Sequence, residues 1–121
     1  MPTINYDGRL FRVASTSEAG EAGEDTLFRY RQRGSDVWAT YEGGAVRMGT
    51  LVGTVAPDGG LDVRYAHVGT DGALRSGACR STPERLPDGR LRLHERWRWT
   101  GGEAGTSVVE EVAPPTALDS V

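Results

Sequence analysis

Arg90-Leu91-Arg92-Leu93-His94-Glu95-Arg96-Trp97-Arg98-Trp99-Thr100 alternates from end to end. Leu91, Leu93, Glu95, Trp97 and Trp99 fall on one set of positions, and Arg90, Arg92, His94, Arg96 and Arg98 on the other. In an extended chain successive side chains project to opposite faces. One face is then apolar except for a single acid, and the other is a ladder of cations suited to water. The segment reads as a half-buried β-strand, and it encloses Glu95 among leucines and indoles. A carboxylate placed there must be paired or must hold a raised pKa.

Working outward, the strand is bounded by Pro87-Asp88-Gly89 and Gly101-Gly102. The same punctuation recurs at Gly34-Ser35, Gly43-Gly44, Pro57-Asp58-Gly59-Gly60 and Gly69-Thr70-Asp71-Gly72. Proline presets φ and glycine takes the left-handed position, so these are turns with a mechanism. They predict strands over residues 9–16, 25–33, 37–42, 45–55, 61–68, 73–82, 90–100 and 105–112. The sixth strand has a candidate extension past Pro83 to Leu86. A short extra strand is expected over residues 3–6, ended by Asp7-Gly8, a hairpin signal. Residues 17–24, rich in Gly, Glu and Ser, read as a mobile loop, with one helical turn at Ser17, Glu18 and Ala19 as the alternative.

No connection is long enough for a crossover helix, so neighbouring strands should be antiparallel. A meander of this kind leaves two open edges unless it closes on itself. The expected fold is therefore all-β, an antiparallel meander closed into a small up-and-down β-barrel of about eight or nine strands, with a two-sheet sandwich as the alternative. Gly49, Gly53 and Gly77 lie within strands and are expected to mark barrel corners. Residues 1–112 form one domain on this reading, and residues 113–121 a flexible tail.

Composition agrees with a lean, turn-rich sheet protein. Among 121 residues, 37% are hydrophobic and 7% aromatic, with 17 glycines and six prolines. The net charge of −3 comes from interspersed arginines and acids with no basic tract, so no nucleic-acid partner is expected. No apolar run approaches the roughly 20 residues of a membrane helix, and the first residues lack the pattern of a secretion signal. A soluble, cytoplasmic protein is the expectation. The lone Cys79 excludes an internal disulfide.

Strand parity nominates the inward side chains. Tyr30 and Gln32 oppose Arg29, Arg31 and Arg33, Tyr41 opposes Thr40 and Glu42, and Tyr65 and His67 oppose Arg64 and Ala66. Cys79 and Ser81 share a face, though which side it takes is open. One of Glu110 and Glu111 should point inward. Tyr30, Gln32, Tyr41, Cys79, Trp97 and Trp99 are thus candidate ligand contacts, and Glu95, His67 and Tyr65 candidate catalytic groups. A pocket lined by apolar walls and a few convergent polar groups is the usual form of a ligand site.

Each has a plainer structural role: a satisfied carboxylate, a hydrogen-bonded core histidine, a buried thiol, large core aromatics. No metal site is expected, because the two histidines fall on opposite faces and the cysteine has no neighbour at ligand spacing. No cofactor is expected either: neither a phosphate loop nor a nucleophile elbow is present.

The order of motifs is itself informative. Asn5-Tyr6-Asp7-Gly8-Arg9-Leu10-Phe11-Arg12-Val13, Tyr41-Glu42-Gly43-Gly44, Gly49-Thr50-Leu51-Val52-Gly53, Asp62-Val63-Arg64-Tyr65-Ala66-His67 and Cys79-Arg80-Ser81-Thr82-Pro83-Glu84 precede the 91–100 segment. Together they resemble a family of short bacterial proteins commonly labelled "N-acetylglutamate synthase", over nearly the whole chain. That resemblance implies acetyl transfer and carries no catalytic residues with it. In architecture the meander looks similar to the calycin-like barrels, lipocalins and haem-binding nitrobindins among them.

Three functions follow as expectations. The first is a small-molecule-binding barrel, with cyclisation or isomerisation of an apolar substrate if it is an enzyme. Glu95 would then be the acid or base, His67 and Tyr65 its partners, and Trp97 and Trp99 the wall. The second is a non-catalytic binding or interaction module with a solid interior, engaging partners through an edge or the 17–24 loop. The third is acetyl transfer. A homodimer is a further option, with Trp38, on the outer set of its strand, as a candidate contact or, alternatively, as a cap on a barrel end.

Overall fold

A computed structural model describes residues 4–17 and 20–112. Eight strands follow one another, β1 (Leu10–Thr16), β2 (Leu27–Arg33), β3 (Asp36–Gly43), β4 (Val46–Val55), β5 (Leu61–Gly69), β6 (Leu74–Arg85), β7 (Leu91–Trp99) and β8 (Ala104–Glu111). Each pairs antiparallel with the next, and β8 returns to β1 through Phe11 opposite Glu111 and Val13 opposite Val109. Closure removes both edges of the meander and excludes the two-sheet sandwich. No described residue is helical, so no helix is long and apolar enough to cross a membrane.

The expected ninth strand does not form. Ile4, Asn5 and Tyr6 are irregular; Thr3 lies outside the described residues, as do Glu18, Ala19 and the tail from 113 onward. Asp7-Gly8 still turns the chain, with Gly8 at φ 81° and the Arg9 N–H donating to the Tyr6 carbonyl. The turn leads out of a plug rather than a strand. Tyr6 is wholly buried beneath Phe11 and Tyr30, and its hydroxyl donates to the Gly59 carbonyl at 2.6 Å.

Parity holds in β7. Leu91, Leu93, Trp97 and Trp99 are buried, while His94, Arg96 and Arg98 are exposed and Arg92 pairs with Glu110 on the outside. In β6 it resolves the open question: Cys79 and Ser81 face inward. In β8 the inward acid is Glu111, 5% exposed. Trp38 lies on the outer surface, half-buried, with the Arg33 guanidinium over its ring.

Three strand glycines make room for inward aromatic rings. Gly49 pairs with Tyr41, and Gly105 with Trp97, across adjacent strands. Gly77 stands opposite Tyr65. A β-carbon at any of these glycines would collide with the ring of its partner. Each glycine therefore makes the space in which an inward aromatic lies flat across the sheet.

Candidate functional site

The barrel interior divides by height. At the end that carries residues 4–9 and the turns before β3, β5 and β7, the core is filled by Tyr6, Phe11, Tyr30, Val37, Leu61, Leu91 and Leu93. At the opposite end, where residues 20–22 border the mouth, a cavity of about 70 Å³ remains. A void of roughly 10–15 Å³ holds one water on this measure, so the space admits about five water-sized atoms. Its wall is Val13, Phe28, Leu51, Val63, Tyr65, Trp97 and Trp99; its polar groups are Tyr41, His67, Cys79, Glu95, Ser107 and Glu21.

Glu95 defines the deep side. β7 turns it inward by alternation, between Leu93 and Trp97. Its carboxylate accepts one hydrogen bond, a long one of 3.3 Å from the Ser81 hydroxyl. Burial in these surroundings pushes its pKa from 4.5 up to about 7, the Ser81 bond opposing the rise only in part. At neutral pH the group is therefore present in both forms, a donor when protonated and an acceptor when not. Its surroundings feel the charge: burial raises the Tyr41, Tyr65 and Cys79 acidities' midpoints well above their usual range, and Glu95 adds to each. A thiol pushed upward in this way stays protonated, the reverse of what a cysteine nucleophile requires.

A second polar group lies at the mouth. His67, its side chain 2% exposed, meets the Tyr41 hydroxyl at Nδ1 (3.0 Å) and a Glu21 carboxylate oxygen at Nε2 (2.8 Å). The neutral tautomer with its proton on Nε2 satisfies both contacts: Tyr41 donates to Nδ1, and Nε2–H donates to the carboxylate. The other Glu21 oxygen accepts from the Arg75 guanidinium at 2.6 Å. Arg75 in turn lies over the Trp99 ring, 4.3 Å from its centre, within cation–π range. Trp99 also meets His67, Tyr65 and Trp97 edge-on or tilted, at 5.4–5.9 Å between ring centres. Phe28 stacks on Tyr41 at 4.8 Å. The Trp97 indole donates to Ser107, which shares a hydrogen bond with Thr16.

Of the residues nominated from sequence, Glu95, His67, Tyr65, Tyr41, Cys79, Trp97 and Trp99 converge on this cavity. Tyr30 and Gln32 do not. Tyr30 is buried in the filled half, and Gln32 accepts the Tyr6 N–H and donates to the Gly34 carbonyl. Parity gives the face of a strand but not the height along it. His67 and Tyr65 partner Tyr41 and the Arg98 carbonyl, not Glu95, so no hydrogen-bonded acid–base set of the three is formed. Glu21 and Arg75 were missed. Glu21 sits in a loop, where no period assigns a direction; Arg75 lies in the same parity set as Cys79, which could have flagged it. Among the described residues no three of His, Cys, Asp and Glu gather to hold a metal ion.

An eight-stranded antiparallel barrel with an apolar cavity, a half-buried acid at depth and polar groups at its mouth has the architecture of the calycin-type barrels. The chain belongs to the Avidin-like protein family, which it matches over residues 4–112. No match was found among curated proteins.

Proposed function

We propose that the protein binds a small molecule in the mouth half of its lumen, with an apolar body against Trp97, Trp99 and Phe28 and a hydrogen-bonding head on Glu95. The observation that carries this reading is Glu95 itself. Polar groups withdrawn from bulk water are nearly always well partnered, yet this carboxyl, half-buried at the deep side of an apolar cavity, has one long bond from Ser81. Its remaining lone pairs and its proton are available to a ligand bearing an N–H, O–H or carbonyl group.

Avidin-like proteins bind small molecules such as biotin, which makes biotin the first probe. Native mass spectrometry of the purified protein and calorimetric titration with biotin test the reading together. A retained small molecule or a saturable heat is expected, and Glu95→Gln should change the affinity roughly tenfold, because hydrogen bonds to a charged group contribute about 1.5–3 kcal/mol. An unchanged affinity would remove Glu95 as the group that holds the ligand's polar head.

The same carboxyl supports a second, catalytic reading. With a pKa of about 7 it is poised to exchange a proton near neutrality, as cyclisation or isomerisation of an apolar substrate requires. On that reading Glu95→Gln retains the bound molecule and loses turnover. Acetyl transfer is not adopted. No described residue lies in a helix, so the helix N-terminus that ordinarily cradles a coenzyme pyrophosphate has no counterpart among the described residues.

A further inference from the structure

Glu21 is an unusual visitor to a barrel mouth. It comes from a connection rather than a strand, within Gly20-Glu21-Ala22-Gly23, so glycine stands on either side of the Glu21-Ala22 pair. The connection is fastened behind Gly23 by the fully buried Thr26, whose hydroxyl accepts from the Gly23 N–H and donates to the Gly43 carbonyl. In front it is fastened by Ser17, which exchanges bonds with the Thr106 backbone. Between these anchors the Glu21 carboxylate reaches over the cavity to His67 and Arg75.

Both partners belong to the barrel and are held independently of Glu21. His67 is oriented by Tyr41 from below, and Arg75 by the face of Trp99. One N–H and one guanidinium thus converge on a single pair of oxygens at the rim of the lumen. That is the geometry of a carboxylate receptor, and the protein fills it with a carboxylate of its own. With Glu21 in place the void below is only about 70 Å³.

We propose that His67 and Arg75 form a seat for the terminal carboxylate of the ligand, and that Glu21 holds this seat in the free protein and yields it on binding. The inference rests on the lumen reading above and names a chemical class within it: a molecule with an apolar body of about five carbons or more, ending in a carboxylate. Electrostatics favour exchange over addition. A ligand anion entering beside Glu21 would place two negative charges on one guanidinium, with Glu103 already 3.6 Å from Arg75 on the outer side. Replacing Glu21 keeps the charge balance unchanged. The tethered Glu21 competes at high effective concentration, so the free protein discriminates against weak anions.

Hexanoate and hexanamide, equal in length and different in charge, separate the possibilities. Quenching of tryptophan fluorescence reports occupancy, since Trp97 and Trp99 line the cavity. Glu21→Ala should tighten hexanoate binding roughly tenfold and leave hexanamide unchanged. Glu21→Gln, which keeps the length of the side chain, should move it in the same direction. Arg75→Gln in the Glu21→Ala background should erase the preference for the acid, and circular dichroism verifies that each variant keeps its sheet. Equal binding of both probes, unaffected by Glu21→Ala, would overturn the seat and leave the lumen reading standing. If neither probe binds any variant, the seat falls, and the biotin titration decides the lumen reading separately.

Discussion

The two halves of the barrel each enclose a glutamate, and treat it in opposite ways. In the filled half, Glu111 accepts two hydrogen bonds from the Arg9 guanidinium, at 2.8 and 3.0 Å, and a third from the Leu91 N–H at 3.0 Å. In the mouth half, Glu95 has a single 3.3 Å bond from a hydroxyl. The first carboxylate ties the end of β8 to the start of β7 and to the segment leading into β1. The second ties nothing in particular and sits beside empty space. A buried charge satisfied in full belongs to the framework; one left nearly bare belongs to whatever enters the space beside it.

The largest effect that tests this contrast concerns the plug. Tyr6→Ala empties the filled half of a wholly buried ring and should cost roughly 4 kcal/mol in urea denaturation, making the two halves alike. Glu111→Gln should cost about 2 kcal/mol in the same measurement, because it leaves the partly buried Arg9 guanidinium without its anion. Glu95→Gln should act the other way at pH 8, stabilising by about 1–2 kcal/mol once water access from the cavity is allowed for.

The sign follows from proton linkage. The folded-state pKa of Glu95, about 7, lies above the ordinary 4.5, so the folded protein holds the proton more tightly than the unfolded chain. Its favourable contribution is complete below about pH 4.5 and disappears as the pH rises through about 7. Urea midpoints measured from pH 4.5 to 8 should therefore lose part of their downward slope in Glu95→Gln. An unaltered slope would mean that Glu95 and Glu111 are not different in kind.

Much of the fold was legible because alternation and turn chemistry are local. The β7 segment announces its two faces in sequence, and the Asp-Gly and Pro-Asp-Gly turns mark where strands reverse. Antiparallel pairing followed from the absence of any crossover connection, and closure from the two open edges a meander would otherwise leave. The exception, residues 4–6, carries the same residue types as a strand; its fate as a plug is decided by the Tyr6 hydroxyl reaching Gly59, 53 positions away.

The site was legible in part for the same reason. Parity brought Glu95, His67, Tyr41, Cys79 and both β7 tryptophans inside, but it assigned Tyr30 and Gln32 to the same lumen without telling its filled half from its open one. Height depends on the stagger between strands, a property of the closed sheet. Glu21 was invisible, because a loop residue's direction is set by what it reaches. Gly49 and Gly77 were singled out as corners, and their second use appears only when Tyr41 and Tyr65 are found lying across them; Gly105, beneath Trp97, was not singled out.

The pairing of β1 with β8 has a practical consequence. The described chain enters the barrel before Leu10 and leaves it after Glu111, both at the plugged end, with Phe11 and Glu111 opposite one another. A fluorescent reporter or an affinity handle joined to the chain just ahead of Leu10 or just behind Glu111 therefore starts from the side remote from the lumen's opening. Held from those points, the protein would face its aperture toward the sample, and a peptide bridge from behind Glu111 to ahead of Leu10 would offer a route to permuted versions cut at any of the tight turns.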